Sequence, residues 1–83
     1  MNVNIQTIQA RFDDVLHGRV GREVIADWAK ALREADDHKE LTVVPETDRL
    51  RVWKAILFLE GVDLRDSPES YLHDDADISR ERP

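Results

Sequence analysis

The sequence contains no cysteine, and it has only three glycines and three prolines among its 83 residues. Without cysteine, the chain forms no disulfide and no thiolate-bound metal site. No apolar run approaches the roughly 18 residues of a membrane-spanning helix, and the N-terminus lacks the basic and apolar regions of a signal peptide. These absences predict a cytoplasmic protein that does not contact a membrane.

The composition is that of a small folded domain. Hydrophobic residues make up 41% of the chain and charged residues 36%, which is too apolar for a disordered chain. A chain of 83 residues has no room for a second core. We therefore predict a single helical domain over residues 1–79 and a frayed C-terminal tail at 80–83.

Apolar residues recur at helical spacing in three stretches, residues 4–17, 21–35 and 46–60. Gly18 and Gly61 follow two of these stretches and offer the left-handed conformation that commonly ends a helix. The three apolar stripes predict a core that consists of Phe12, Leu16, Ile25, Trp28, Leu32, Trp53, Ile56 and Leu57.

Two shorter segments complete the predicted fold. Ser67 is a suitable N-cap, with Pro68 in the first turn, for a short fourth helix that carries Tyr71 and Leu72. The β-branched segment 41–44 is extended in character, but a lone strand is not stable without a partner. We therefore predict an all-α fold, a small three- to four-helix bundle with at most one short extended segment at 41–44.

Acidic residues are concentrated in the last third of the chain. Residues 63–79 hold six acidic residues and only one base, Arg65, which accounts for most of the net charge of −6. Such a surface repels nucleic acid and membrane phosphates, attracts basic proteins and raises their encounter rate. The predicted protein-binding residues are the acids of this segment and a tyrosine that serves as a central anchor: Asp63, Asp66, Glu69, Tyr71, Asp74, Asp75 and Asp77.

No catalytic or metal-binding pattern stands out. The histidines His17, His38 and His73 are far apart and lack the spacing of a zinc site. The serines occur late in the chain, without a neighbouring pair of histidine and acid that would make a catalytic relay. The sequence therefore predicts no enzyme activity, no metal and no cofactor.

One short motif is typical of nucleic-acid binding. Gly18-Arg19-Val20-Gly21 lies between two predicted helices, as the GXXG loop of a KH domain does. A KH domain also needs a three-stranded sheet, whereas this chain offers at most one strand, at 41–44. The net charge of −6 opposes phosphate at long range. We therefore expect no nucleic-acid partner. Nucleic-acid binding through this loop is the third hypothesis for the function, after the two that are given below.

A longer series of motifs covers residues 16–78. It resembles a group of short acidic bacterial proteins that includes immunity proteins of contact-dependent growth inhibition and other polymorphic toxin systems. The motifs are Gly18-Arg19-Val20-Gly21-Arg22-Glu23, Asp27-Trp28-Ala29, Trp53-Lys54-Ala55, Leu59-Glu60-Gly61-Val62-Asp63 and Tyr71-Leu72-His73. In this group a serine often stands at the position of Gly21, where it makes a stronger helix cap.

The resemblance implies an inhibitor that neutralises a cognate basic, nuclease-type toxin domain by masking its active site. Carboxylates suit this role, because they meet the residues with which a nuclease holds the substrate backbone. We expect such an inhibitor to be a monomer. The second hypothesis is a regulatory or structural adaptor that forms a homo-oligomer through the broad apolar face of helix 46–60.

Overall fold

The computed structural model describes all 83 residues. Its four α-helices are α1 (Ile5–Leu16), α2 (Arg22–Asp37), α3 (Arg49–Glu60) and α4 (Asp75–Glu81), and a turn of 3-10 helix at Glu46–Asp48 precedes α3. Four short strands, β1 (Asn2–Val3), β2 (Thr42–Val43), β3 (Arg65–Ser67) and β4 (Ser70–Tyr71), form two two-stranded sheets. The prediction of an all-α fold is therefore wrong, because the fold is mixed α/β.

The segment 41–44 gains its missing partner from the N-terminus. β1 pairs with β2 in parallel, with Val3 opposite Val43, and both valines are buried. The backbone N–H of Thr42 donates to the carbonyl of Met1 at 2.8 Å, and that of Val44 donates to Val3 at 2.9 Å. A two-residue strand at the start of a chain is too short to show an alternating pattern, so the sequence alone could not reveal this pairing.

The predicted fourth helix at Ser67 is also wrong, because that segment forms the antiparallel β3–β4 hairpin. Within the turn, the Ser67 and Ser70 hydroxyls lie 2.9 Å apart, and the backbone N–H of Glu69 approaches the Ser67 oxygen at 3.3 Å. Serine side chains thus bind the local backbone groups and stabilise a turn instead of a helix. The backbone N–H of Leu72 donates to Leu64 at 2.9 Å and closes the hairpin.

The N-cap of the last helix is Asp74, seven residues after the predicted N-cap Ser67. The Asp74 carboxylate accepts the backbone N–H of Asp77 at 2.9 Å, and the Asp77 carboxylate accepts that of Asp74 at 3.2 Å. This reciprocal pair is a capping box, which satisfies two N–H groups that the first turn of a helix leaves free. Two of the acids that were predicted to bind a partner thus also hold their own backbone.

One apolar core of 17 buried residues joins α1, α2, α3, α4 and the β1–β2 sheet. The structure buries Phe12, Ile25, Leu32 and Ile56 as predicted, and it leaves Leu16, Trp28 and Trp53 half-buried at the edge of the core. The prediction that Leu57 is a core residue is wrong, because its side chain is 46% exposed.

The C-terminal residues, for which the sequence predicts fraying, contact α1 in the structure. The Arg82 guanidinium donates to the Asp13 carboxylate at 2.9 Å, and the Gln9 side chain donates to the carbonyl of Pro83 at 2.7 Å. The hydrogen bond from Arg82 lowers the pKa of the Asp13 carboxyl below its ordinary value of 3.8. These contacts attach the residues that follow α4 to the middle and the last turn of α1.

The core assignment predicts unequal costs for two truncations. Phe12 is fully buried, so Phe12→Ala removes a large side chain from the centre of the core and should lower the free energy of unfolding by about 3–5 kcal/mol. Leu57→Ala, at a site exposed to solvent, should change it by about 0.5 kcal/mol or less. Urea unfolding of both variants measures the difference. If Leu57→Ala costs as much as the ~3–5 kcal/mol expected for Phe12→Ala, α3 is packed with a different face inward.

The capping box predicts a specific response to acid. The backbone N–H of Asp74 lowers the pKa of the Asp77 carboxyl below 3.8, and the positive charge of Arg80 adds to this effect. Because the folded-state pKa is lowered, the stabilisation is present above the unfolded pKa of about 3.9 and is lost as the pH falls through the folded value.

Asp77→Asn should therefore lower the urea midpoint at neutral pH, and the difference from the parent should shrink steadily below pH about 4. Glu69→Gln is the matched control, because it removes an exposed carboxylate that forms no ion pair. A deficit for Asp77→Asn that is as large at acid pH as at neutral pH would contradict the role of the ionised carboxylate.

Candidate functional site

The structure divides the acidic residues of the last third between two elements. Asp66 and Glu69 are exposed on the β3–β4 hairpin, and Asp63 is half-buried directly after α3. The other three, Asp74, Asp75 and Asp77, lie in the first turn of α4 or at its cap. Asp75 also faces Arg22 at 3.5 Å, and Asp77 pairs with Arg80. Two of the six predicted protein-binding acids therefore form an ion pair with an arginine of the chain.

Tyr71 is packed between two arginines. Its ring lies 4.0 Å from the guanidinium carbon of Arg22 and 4.5 Å from that of Arg65. Its hydroxyl accepts a hydrogen bond from Arg65 at 3.2 Å and donates to Glu23 at 3.4 Å. Stacking of cations on both faces of the ring attaches the hairpin to the start of α2.

The loop of Gly18-Arg19-Val20-Gly21 is built to turn the chain between α1 and α2. Gly18 has a φ of +68°, a conformation that glycine adopts without strain. Arg19 pairs with Asp14 at 3.1 Å. Arg22 has a side chain only 13% exposed, and it donates to the carbonyls of Val62 at 3.1 Å and His73 at 2.6 Å. The arginine that follows the loop is therefore part of the fold.

An excess of positive charge lies on α3 instead. This helix has three basic residues and one acidic residue, whereas each of the other helices has more acidic residues than basic ones. Its single acid, Glu60, accepts two hydrogen bonds from Arg33 at 2.9 and 2.8 Å. This pairing raises the pKa of Arg33 above its ordinary value and neutralises the one negative charge on α3.

Three cations from α3 and α4 meet at one open depression of about 200 Å³, which we call the basic cleft: Arg51, Lys54 and Arg80. Lys54 is exposed and forms no ion pair. Arg51 is 59% exposed and lies 3.7 Å from Asp48, a distance at which the attraction is weak in water. Glu81 also lines the cleft. The cleft thus brings three cations together, of which Lys54 is unpaired and Arg51 and Arg80 each also have a carboxylate partner within the chain.

Apolar side chains accompany these cations on the outer face of α3. Leu50 is 80% exposed and stands one residue before Arg51 and one helical turn before Lys54. It also lines a groove of about 510 Å³ together with Trp53 and the ion pair of Arg49 with Asp36 at 2.7 Å. The outer face of α3 therefore combines positive charge with exposed apolar surface.

The sequence contained a signal for this surface. Residues 49–54, Arg-Leu-Arg-Val-Trp-Lys, hold three bases and no acid in a chain with a net charge of −6. The net charge of the whole chain is negative, so it does not reveal this local excess of positive charge. None of the four helices has the length and hydropathy of a membrane-spanning segment. No three His, Asp or Glu side chains are placed to share a metal ion.

Comparison with known proteins gives one curated relative. A protein of Bacillus subtilis (strain 168) named "Uncharacterized protein YxzC" is 39% identical over 69 residues, which is 83% of this chain and 51% of that protein. The chain thus spans about half the length of this relative. No solved structure matches the chain.

A protein-family model described as "YxzC DNA-binding protein" matches residues 2–80. This match contradicts the resemblance to immunity proteins, the prediction of a cognate toxin domain as partner and the expectation of no nucleic-acid partner. The resemblance misled because its motifs, such as Gly18, Gly61, Trp28 and Trp53, are helix ends and side chains at the edge of the core. Such residues report how a chain folds and carry no information on what it binds. Because the match extends over nearly the whole chain, this protein belongs to the YxzC DNA-binding protein family.

Proposed function

We propose that this protein binds DNA and that the basic cleft contacts the phosphate backbone. The family description supports DNA as the ligand. The observation that carries the choice of surface is the meeting of three cations at one cleft: Arg51 and Lys54 from α3, the only helix with an excess of basic residues, and Arg80 from α4. Phosphate contacts from exposed arginine and lysine supply most of the affinity in non-specific DNA binding.

The net charge of −6 is compatible with a local DNA-binding surface. At physiological salt, charges separated by more than about 8 Å are largely screened from one another. A phosphate in the basic cleft is therefore attracted mainly by Arg51, Lys54 and Arg80, whereas the acidic hairpin and α4 cap repel DNA that approaches elsewhere. The acidic segment then restricts the direction from which DNA approaches.

The shape of α3 suits the major groove. A helix of 12 residues is about 18 Å long, and the major groove of B-form DNA, about 12 Å wide, admits one α-helix. The exposed residues Leu50, Arg51 and Lys54 lie in the first half of α3. Known recognition helices also contact base edges through residues near their N-termini. We therefore propose that α3 enters the major groove and that Arg80 binds a phosphate at its rim.

This surface replaces the glycine loop of residues 18–21 as the proposed nucleic-acid site. Arg22 is held by the carbonyls of Val62 and His73, so it is not free to bind a phosphate. The chain also has two separate two-stranded sheets in place of the three-stranded sheet of a KH domain. Because bacterial DNA lies in the cytoplasm, we propose the cytoplasm as the place of action, and a binding rather than a catalytic role.

The proposal predicts which cations set the salt dependence of binding. Arg51→Gln/Lys54→Gln should reduce the slope of log affinity against log salt by about two, because each phosphate contact contributes about 0.9. Affinity for duplex DNA at low salt should fall about tenfold, from two exposed contacts of roughly 0.7 kcal/mol each. Fluorescence anisotropy with a labelled duplex over a series of salt concentrations measures both quantities.

Lys30→Gln/Lys39→Gln is the matched control, because it removes two exposed positive charges outside the cleft. Both double variants have the same net charge, so the control separates a local contact from the field of the whole protein. The control should retain the slope of the parent. An equal loss of slope in the two variants would contradict a DNA site at the cleft.

A further inference from the structure

We infer that Leu50 is a specificity-determining residue that contacts thymine methyl groups in the major groove of duplex DNA. This inference rests on the proposed function and deepens it, because it names the feature of the DNA that α3 distinguishes. Phosphate contacts position a protein on DNA, but they carry no sequence information directly. A protein that distinguishes sequences by contact must also reach the edges of the bases.

The exposure of Leu50 is the first observation. At 80% it is the most exposed of the large hydrophobic side chains. A single exposed leucine is common on protein surfaces, so exposure alone has no functional meaning. The neighbours of this leucine are what distinguish it. Arg49 and Arg51 are adjacent in sequence, and Lys54, four residues later, lies on the same side of the helix.

A ligand for this surface must combine negative charge with a small apolar group at its centre. Duplex DNA has this arrangement in the major groove, where phosphates line both rims and the C5 methyl of thymine is the apolar group at the base edges. A leucine side chain that projects from a helix in the groove is long enough to touch that methyl. The basic cleft beside Leu50 supplies the cations for the phosphate rim.

Single-stranded DNA fits this surface less well. Proteins that bind single strands stack the bases on exposed aromatic rings. None of the five aromatic residues of this chain is classed as exposed, and both faces of the Tyr71 ring are covered by arginines. A surface without an open aromatic ring therefore favours a duplex, in which the bases remain stacked on each other.

A second copy of the chain is also a poorer occupant of this face. If two α3 helices packed against each other about a two-fold axis, each would meet the same patch of its partner. The arginines beside Leu50 and the unpaired Lys54 would then approach their own counterparts. Repulsion between these cations opposes such a dimer, whereas the same cations favour DNA.

The test compares thymine with deoxyuridine, which lacks only the C5 methyl and keeps the hydrogen-bonding groups. A preferred duplex is first selected from a random-sequence pool with the intact protein. Its thymines are then replaced one at a time by deoxyuridine, and the dissociation constant is measured for the parent, Leu50→Ala and Leu57→Ala. Leu57 is the control, because it is also an exposed leucine of α3 and lies two turns away from Leu50.

We expect the parent to bind about fourfold more weakly when the contacted thymine is replaced, which corresponds to the burial of one methyl group. Leu50→Ala should be insensitive to that replacement, whereas Leu57→Ala should respond as the parent does. Both variants should keep the unfolding midpoint of the parent, since both side chains are exposed.

Three results would overturn the inference while DNA binding stands: no preferred sequence, no thymine whose replacement weakens the parent, or equal sensitivity in the parent and Leu50→Ala. A concentration-dependent mass of the parent that Leu50→Ala abolishes would also overturn it and assign the face to a second copy. Failure of the parent to bind any duplex at low salt would instead remove the proposed function, and this inference with it.

Discussion

Burial of one side of α3 determines which of its residues meet solvent. Val52, Ala55, Ile56 and Leu59 are packed into the core against α1 and α2. Because an α-helix has about 3.6 residues per turn, this packing directs Leu50, Arg51 and Lys54 outward. The same constraint that stabilises the fold thus presents a strip of mixed cationic and apolar side chains. Any change that rotated α3 in its place would remove the proposed site together with part of the core.

Arg22 is the second feature on which the arrangement depends. Its guanidinium binds two backbone carbonyls, at Val62 and His73, and covers one face of the Tyr71 ring. One side chain at the start of α2 thereby connects the end of α3, the hairpin and the start of α4. The contacts of this cation with two carbonyls and an aromatic ring are thus all made within the chain. Because Arg22 makes these contacts, it is not available to a phosphate bound at the glycine loop.

The sequence predicted the three long helices well, because each has an apolar stripe of helical period and two of them end at a glycine. It could not predict the β1–β2 pair, since two residues are too few to show a strand pattern and the pairing joins distant parts of the chain. Ser67 is a suitable helix cap in the sequence, but in the structure its side chain stabilises a turn. The helix instead follows Asp74, which forms a capping box with Asp77. The candidate site was missed for a different reason. The chain as a whole is negatively charged, and this total does not reveal that α3 has more basic than acidic residues.

The most direct test of the central claim is a nuclear magnetic resonance titration of the isotope-labelled protein with duplex DNA at low salt. If α3 is the DNA-binding surface, the amide signals of residues 47–57 and of Arg80 should shift progressively as DNA is added. Signals of the glycine loop at 18–21 and of the acidic hairpin at 65–71 should stay in place. Shifts that are confined to the loop or the hairpin, or the absence of any shift, would contradict the account.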